Sequence, residues 1–290
     1  MDVVFAMSAS VAPAIEDKLV PVQTIAVISG KGGAGKSNLA VNLAVSLSEL
    51  GRRVLLFDAD FAKGNVDNLM NVKAPFNLAH VMSGEKQLGE VLVSGPGGVT
   101  LVPGSNGVME MARMSQIQHA GLIGLFSDLG IDADTMIIDC ATGLSDCVLN
   151  NSRAARELLL VICDEPTALQ DAFSTINALN GILGVRRFRV VANQVETSQQ
   201  GLDLYSKLMK YAERYLDVML EYCGSIPFDP LLQQAVREQQ VVVQSHPRSA
   251  SAMALKKLAA RVDKWPRPQS PGGHVEFFVE RLIQTERESR

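Results

Sequence analysis

The sequence predicts an α/β chain, a doubly wound and mostly parallel sheet with helices on both faces. Three observations predict it. Six short runs are almost wholly apolar, as strands covered on both sides are: residues 24–29 (TIAVIS), 53–58 (RVLLFD), 135–139 (TMIID), 157–163 (ELLLVIC), 188–193 (FRVVAN) and the weaker 222–226 (YCGSI). Helical patterns lie between them, the alternation that builds a parallel sheet. The first run leads into Gly30-Lys31-Gly32-Gly33-Ala34-Gly35-Lys36-Ser37, a G-x-x-x-x-G-K-[ST] loop that opens a helix.

Taken in order, residues 1–22 read as a flexible arm. Their apolar stretch ends in Ala-Pro-Ala, but Asp2 stands where a secretion signal carries positive charge. After the glycine-rich loop, Leu39, Leu43, Leu47 and Leu50 fall at i, i+4, i+8 and i+11, one face of a helix. The second run closes on Asp58-Ala59-Asp60, and the third on Asp139, followed by Cys140-Ala141-Thr142-Gly143. Carboxylates at the C-terminal ends of parallel strands face the ligand crevice. Ala168–Leu183, Ser198–Tyr215 and residues 249–264 complete the helices, giving one domain over 23–268. The stretch 265–273 (WPRPQSPGG), with three prolines and two glycines, interrupts regular structure and sets off a tail, 269–290. There Val275, Phe278, Val279, Leu282 and Ile283 form an apolar helical stripe.

Lys plus Arg is 27 and Asp plus Glu 31, a formal charge of −4, which disfavours wholesale coating of nucleic acid. The cationic clusters Arg186, Arg187, Arg189 and Lys256, Lys257, Arg261, Lys264 read as solvated surface. With no helix-turn-helix or zinc module, no sequence-specific DNA binding is expected. No apolar run reaches the ~18 residues of a membrane-spanning helix. The four cysteines, Cys140, Cys147, Cys163 and Cys223, form no C-x-x-C pair and read as free thiols in a reducing cytoplasm.

The loop dictates its own chemistry. Glycines permit positive φ and bring bare backbone to the ligand, successive N–H groups make an anion nest, and the helix N-terminus adds its dipole. Lys36 reaches β- and γ-phosphates, and the Ser37 hydroxyl ligates Mg²⁺. ATP/ADP and Mg²⁺ are the expected ligands. No N-K-x-D sequence for guanine is present.

Lys31 is a second lysine that an ordinary phosphate loop does not need. With it, the loop resembles the deviant Walker A motif, K-G-G-x-G-K-[ST], of the MinD/ParA family. The resemblance implies a P-loop NTPase of the SIMIBI/MinD-like type that forms a homodimer with ATP, each Lys31 touching the other subunit's phosphates. It further implies slow, dimer-activated hydrolysis, with Asp60 positioning water, Asp58 supporting the metal's water shell and Asp139 in the Walker B role through Mg²⁺-bound water. Gly143 lets backbone approach the γ-phosphate. Asn193, Pro227 and Asp229 lie in the two loops that flank the adenine in the family. Switch I departs from the usual D-L-G-L-A-N: here Asp60-Phe-Ala-Lys-Gly-Asn65 has a displaced glycine and a new Lys63.

Residues 164–173 (DEPTALQDAF) and 274–282 (HVEFFVERL) look like the flagellar-number regulators of that family, the FlhG/FleN-like branch. The implied partners are an AAA+ flagellar transcriptional activator, which the ATP-bound dimer restrains, and an FlhF-type GTPase. For residues 274–284 two expectations stand: peripheral contact with the inner face of the cell membrane, as in MinD-like tails, or docking on the protein itself. Two other readings compete, a ParA-type DNA-associated partition or positioning ATPase and, because Cys140 adjoins Asp139 at the site, an iron–sulfur reductase.

Overall fold

The computed structural model describes residues 20–105, 111 and 114–288. In chain order the elements are β1 (Gln23–Ile28), α1 (Lys36–Glu49), β2 (Val54–Ala59), α2 (Val66–Leu69), α3 (Leu78–Met82), β3 (Val93–Ser94), β4 (Thr100–Val102), α4 (Gln116–Ser127), β5 (Thr135–Cys140) and α5 (Asp146–Ala154). There follow β6 (Glu157–Cys163), α6 (Ala168–Leu183), β7 (Arg187–Val195), α7 (Ser198–Tyr215), β8 (Met219–Pro227), α8 (Pro230–Arg237), α9 (Val242–Ser245), α10 (Ala250–Val262) and α11 (Val279–Glu288). The eight strands order as β3-β4-β2-β5-β1-β6-β7-β8, all parallel except β3 against β4. The predicted doubly wound sheet is present.

Alternate residues of each strand feed two cores. Ile25, Val27, Leu56 and Val161 join α1, α9 and α10 on one face. Ala26, Ile28, Phe57 and Leu160 join α4, α5, α6 and α7 on the other. Because α1 lies between the sheet and α10, it is buried nearly all round, whereas Leu50, which the leucine face included, caps its end in solvent. At the sheet's edge, β8 has two carbonyls occupied. Tyr205 Oη donates to Leu220 O at 2.7 Å, and Arg261 Nη1 to Tyr222 O at 2.8 Å. That blunts the edge as a template for further strands.

The expected flexible arm falls, through residue 19, outside the described residues; Val22 is already buried. Of the two expectations for the tail, the structure has it docked on the protein itself. Phe277, Phe278 and Leu282 are buried, and both phenylalanines belong to the core around Phe57 and Phe126. Arg281 donates to Leu129 O, Ile131 O and Ala133 O, and Glu276 pairs with Arg156 at 2.7 Å. Val275 and Ile283 of the predicted stripe are exposed. Phe278 takes a left-handed φ of 56° and the helix starts only after it, so both neighbouring rings turn inward. The bulkiest apolar side chains of the tail, Phe277, Phe278 and Leu282, are thus inside the protein.

In the cationic cluster at the start of β7, Arg186 and Arg187 are exposed but Arg189 is internal. Arg189 is buried, donating to Glu157 at 2.8 Å and Glu221 at 2.6 Å, with its guanidinium 3.9 Å from the Trp265 ring centre. Arg187 bonds Glu157 as well. That cluster offers DNA little free charge.

Candidate functional site

The site forms where β1, β2, β5 and β7 end. Residues 30–35 turn from β1 into α1 through two left-handed glycines, Gly33 (φ 82°) and Gly35 (φ 83°). The first turn of α1 has no side-chain cap and no acidic residue, so its free N–H groups remain for an anion. The loop is clamped from β7. Asn193 Nδ2 donates to Ala34 O at 2.8 Å and Gln194 Nε2 to Gly33 O at 3.1 Å. Glycine is enforced at both ends: a Cβ on Gly35 would lie 2.2 Å from Asn193 Nδ2, and one on Gly30 would lie 2.3 Å from Asp171 O.

Lys36 Nζ, buried at the first turn of α1, donates to Asp139 Oδ1 at 2.9 Å. Burial works against its charge, but Asp139 outweighs burial and holds the ammonium above its usual range. Burial in turn pushes Asp139 up, despite Lys36 and a hydrogen bond from Ser37. Asp58 sits opposite Asp139 on the neighbouring strand, and burial followed by the charge of Asp139 raises its pKa too. Both Asp58 oxygens accept backbone N–H groups, Oδ1 from Asp60 at 3.2 Å and Oδ2 from Val66 at 3.2 Å. In this geometry Asp58 shapes the switch I loop. Asp60 Oδ1 accepts from Lys63 N at 3.0 Å, and Ser105 Oγ holds Phe61 O at 3.0 Å.

Lys31, on the rim, pairs with Glu165 in the turn after β6; that carboxylate raises the pKa of Lys31. Gly143 is left-handed (φ 84°), its N–H reaching Ser29 O at 3.2 Å. Cys140 is fully buried behind it, and burial lifts its thiol pKa well above the ordinary range.

A cleft of about 360 Å³ is lined by Lys31, Gly33, Ala34, Gly35, Lys36, Ser37, Asp60, Lys63 and Thr142. It continues through Gly35, Asn38 and Gln194 into a second of about 370 Å³, lined by Asn193, Pro227, Phe228, Asp229, Leu232 and Arg237. The glycine cradle and paired clefts fit a nucleotide, phosphates at one end and base at the other. The donors beside Lys36 are the oxygens of Ser37 and Asp139, which suits Mg²⁺, an ion that takes its other ligands from water and phosphate. Among the described residues no cluster of His, Cys, Asp and Glu could hold a metal by itself.

Asp229, in the wall of the second cleft, is also a strut. It caps α8 through Leu231 N at 2.9 Å and accepts from Ser251 N at 2.9 Å and Ser251 Oγ at 2.8 Å. Burial opposes its charge, yet these bonds hold its carboxyl below the usual range. Sequence reading missed Gln194, Phe228 and the α8 residues Leu232 and Arg237. The signal for α8 was present in Asp229-Pro230, an N-cap followed by a first-turn proline.

The ParA family profile, described as "NUBPL iron-transfer P-loop NTPase", matches residues 21–263. The chain is 49% identical over 264 residues to the antiactivator FleN of Pseudomonas aeruginosa, covering 91% of this chain and 94% of that one. It is 30% identical over 240 residues to the flagellum site-determining protein YlxH of Helicobacter pylori, covering 81% and 80%. The septum site-determining protein MinD of Pyrococcus horikoshii, solved with Mg-ADP, superposes with a TM-score of 0.70 at 26% identity, over 84% of this chain and 96% of that one. Glycine cradle, buried Lys36–Asp139 pair, rim lysine and these likenesses agree: the chain belongs to the MinD/ParA family of P-loop ATPases, on its FlhG/FleN-like branch.

Proposed function

We propose that the chain is a cytoplasmic, ATP-driven switch that controls flagellar number: it dimerises around two Mg-ATP and, as a dimer, restrains an AAA+ flagellar transcriptional activator. The likeness to an antiactivator over nine-tenths of the chain supports the restraining role, and the likeness to a flagellum site-determining protein over four-fifths of it supports the flagellar one. The observation that carries the switch is the separate placement of two lysines on one loop. Lys36 is buried at the cleft floor on Asp139, while Lys31 stands at the rim on Glu165, where a partner's nucleotide could draw it away. In this reading Ser37 and Asp139 hold the Mg²⁺ shell, Asp60 positions the attacking water, and Asn193 and Pro227 border the base. Hydrolysis is slow, because the ATP state must last long enough to act, and it releases the dimer. An FlhF-type GTPase is a second partner. The docked tail would reach a membrane only after leaving its core site. The DNA-riding alternative draws no support from the ion-paired cluster before β7.

Sedimentation with ADP and with ATP tests the switch. Asp60→Ala should accumulate as a dimer with ATP, and Lys31→Ala should bind ATP but stay single. A chain that stays single at saturating ATP even as Asp60→Ala would refute the switch. Unchanged flagellar number after gene deletion would refute the regulatory role.

A further inference from the structure

We propose that Lys63 of switch I is a γ-phosphate contact within the same subunit, one that separates ATP from ADP; this rests on the ATPase reading above.

Three cations line the phosphate cleft, Lys31, Lys36 and Lys63. The first two are held by Glu165 and Asp139. The Lys63 side chain is exposed and its ammonium makes no ion pair among the described residues. Its place along the cleft is set by shared walls. The base cleft meets the phosphate cleft at Gly35 and Asn38. At the opposite end, the phosphate cleft meets a third cleft of about 500 Å³ at Gly33, Asp60, Lys63 and Thr142. A nucleotide with its base near Asn193 therefore presents its terminal phosphate at the Lys63 end.

The loop fixes the lysine there. Lys63 N donates to Asp60 Oδ1 and to Asp60 O at 3.3 Å, and Asp58 ties the loop at Asp60 and Val66. Gly64 follows because any Cβ there would lie 2.6 Å from Asp58 Oδ2. The glycine displaced from the usual switch I pattern thus closes the loop over Asp58 and leaves Lys63 beside Asp60. A carboxylate near a γ-phosphate meets like charge. An ammonium on the same short loop offsets it and supplies up to three donors. ADP lacks the group that Lys63 would touch.

Equilibrium titration with Mg²⁺ and either ADP or a β,γ-imido ATP analogue tests this in wild type, Lys63→Ala and Lys63→Arg. Lys63→Ala should weaken the analogue about tenfold, the size of one charge-assisted hydrogen bond at a partly exposed site. ADP affinity should stay within about twofold, Lys63→Arg should recover most of the loss, and melting temperatures should match wild type. The effect should persist in a Lys31→Ala background that stays monomeric; its disappearance there would place the contact across the dimer and overturn the proposal. Equal losses for both nucleotides, or unchanged analogue affinity, would also overturn it. Wild type that binds neither nucleotide would instead defeat the ATPase reading.

Discussion

Phe277→Ala measures how firmly the tail belongs to the domain. The ring is buried, edge-on to Phe126 at 5.1 Å and 88° and to Phe57 at 6.2 Å and 75°. Truncating a buried phenylalanine costs about 3–5 kcal/mol, transfer and cavity together. Two edge-to-face partners, each worth roughly 0.5–1.5 kcal/mol beyond burial, place this site in the upper half of that range. In a chain of this size 1 kcal/mol moves Tm by a little under about 2 °C, so a drop of about 7 °C is expected. Nucleotide-free thermal and urea unfolding, followed by circular dichroism, read it directly. The control is Val275→Ala, at a side chain 48% exposed, which should stay within about 0.5 kcal/mol of wild type. A Phe277→Ala variant within 1 kcal/mol of wild type would refute the docked tail. If such a variant also lost binding to anionic liposomes, the phenylalanine would be a lipid anchor.

Two further outcomes follow from the site. Gln194 holds Gly33 O from a left-handed backbone (φ 59°); Gln194→Gly should relieve the backbone yet weaken nucleotide binding a few-fold through the lost amide, and Gln194→Ala should do so while also lowering Tm, both readable by titration and melting. Asp229, with its folded pKa depressed, contributes stability that is fully present above its unfolded pKa and disappears as pH falls through the lower folded one. Asp229→Asn should therefore lose about 1–3 kcal/mol at neutral pH, and its urea midpoint should converge on wild type in acid below the usual carboxylate range; a gap that persists unchanged there would contradict the strut role.

What was legible in the sequence was what the chain encodes locally. Strand, glycine loop and α1 are contiguous, so Gly30 to Ser37 could be placed before any contact was known. The six apolar runs became β1, β2, β5, β6, β7 and β8. Strands β3 and β4 went unseen because two or three residues carry no periodicity. Contacts made by folding were also hidden. Gln194 clamps a carbonyl 161 residues away, and Lys31 meets Glu165 only because β6 lies beside β1. The tail shows the same limit. An apolar stripe at helical spacing reports that a face must be covered, not by what, and the left-handed Phe278 shifted which side chains turn inward. Arg189 was misread likewise, since a run of arginines looks solvated until Glu157 and Glu221 are brought beside it.

The charges of the site explain how a phosphate could act as a switch at two places. Neither signature lysine stands bare: Lys36 neutralises Asp139, and Lys31 neutralises Glu165. A ligand that attracts either lysine must release a carboxylate. At the floor, Asp139 is buried beside Asp58 with its pKa raised, so taking Lys36 from it is costly unless another cation arrives. On the proposed reading a divalent ion carried by the phosphates would meet that need and so couple metal binding to nucleotide binding. At the rim, Glu165 is exposed and gives up Lys31 at little cost, since water and salt screen a surface ion pair. In the proposed switch the floor sets whether nucleotide binds, and the rim lysine is the group a second subunit's nucleotide would draw away.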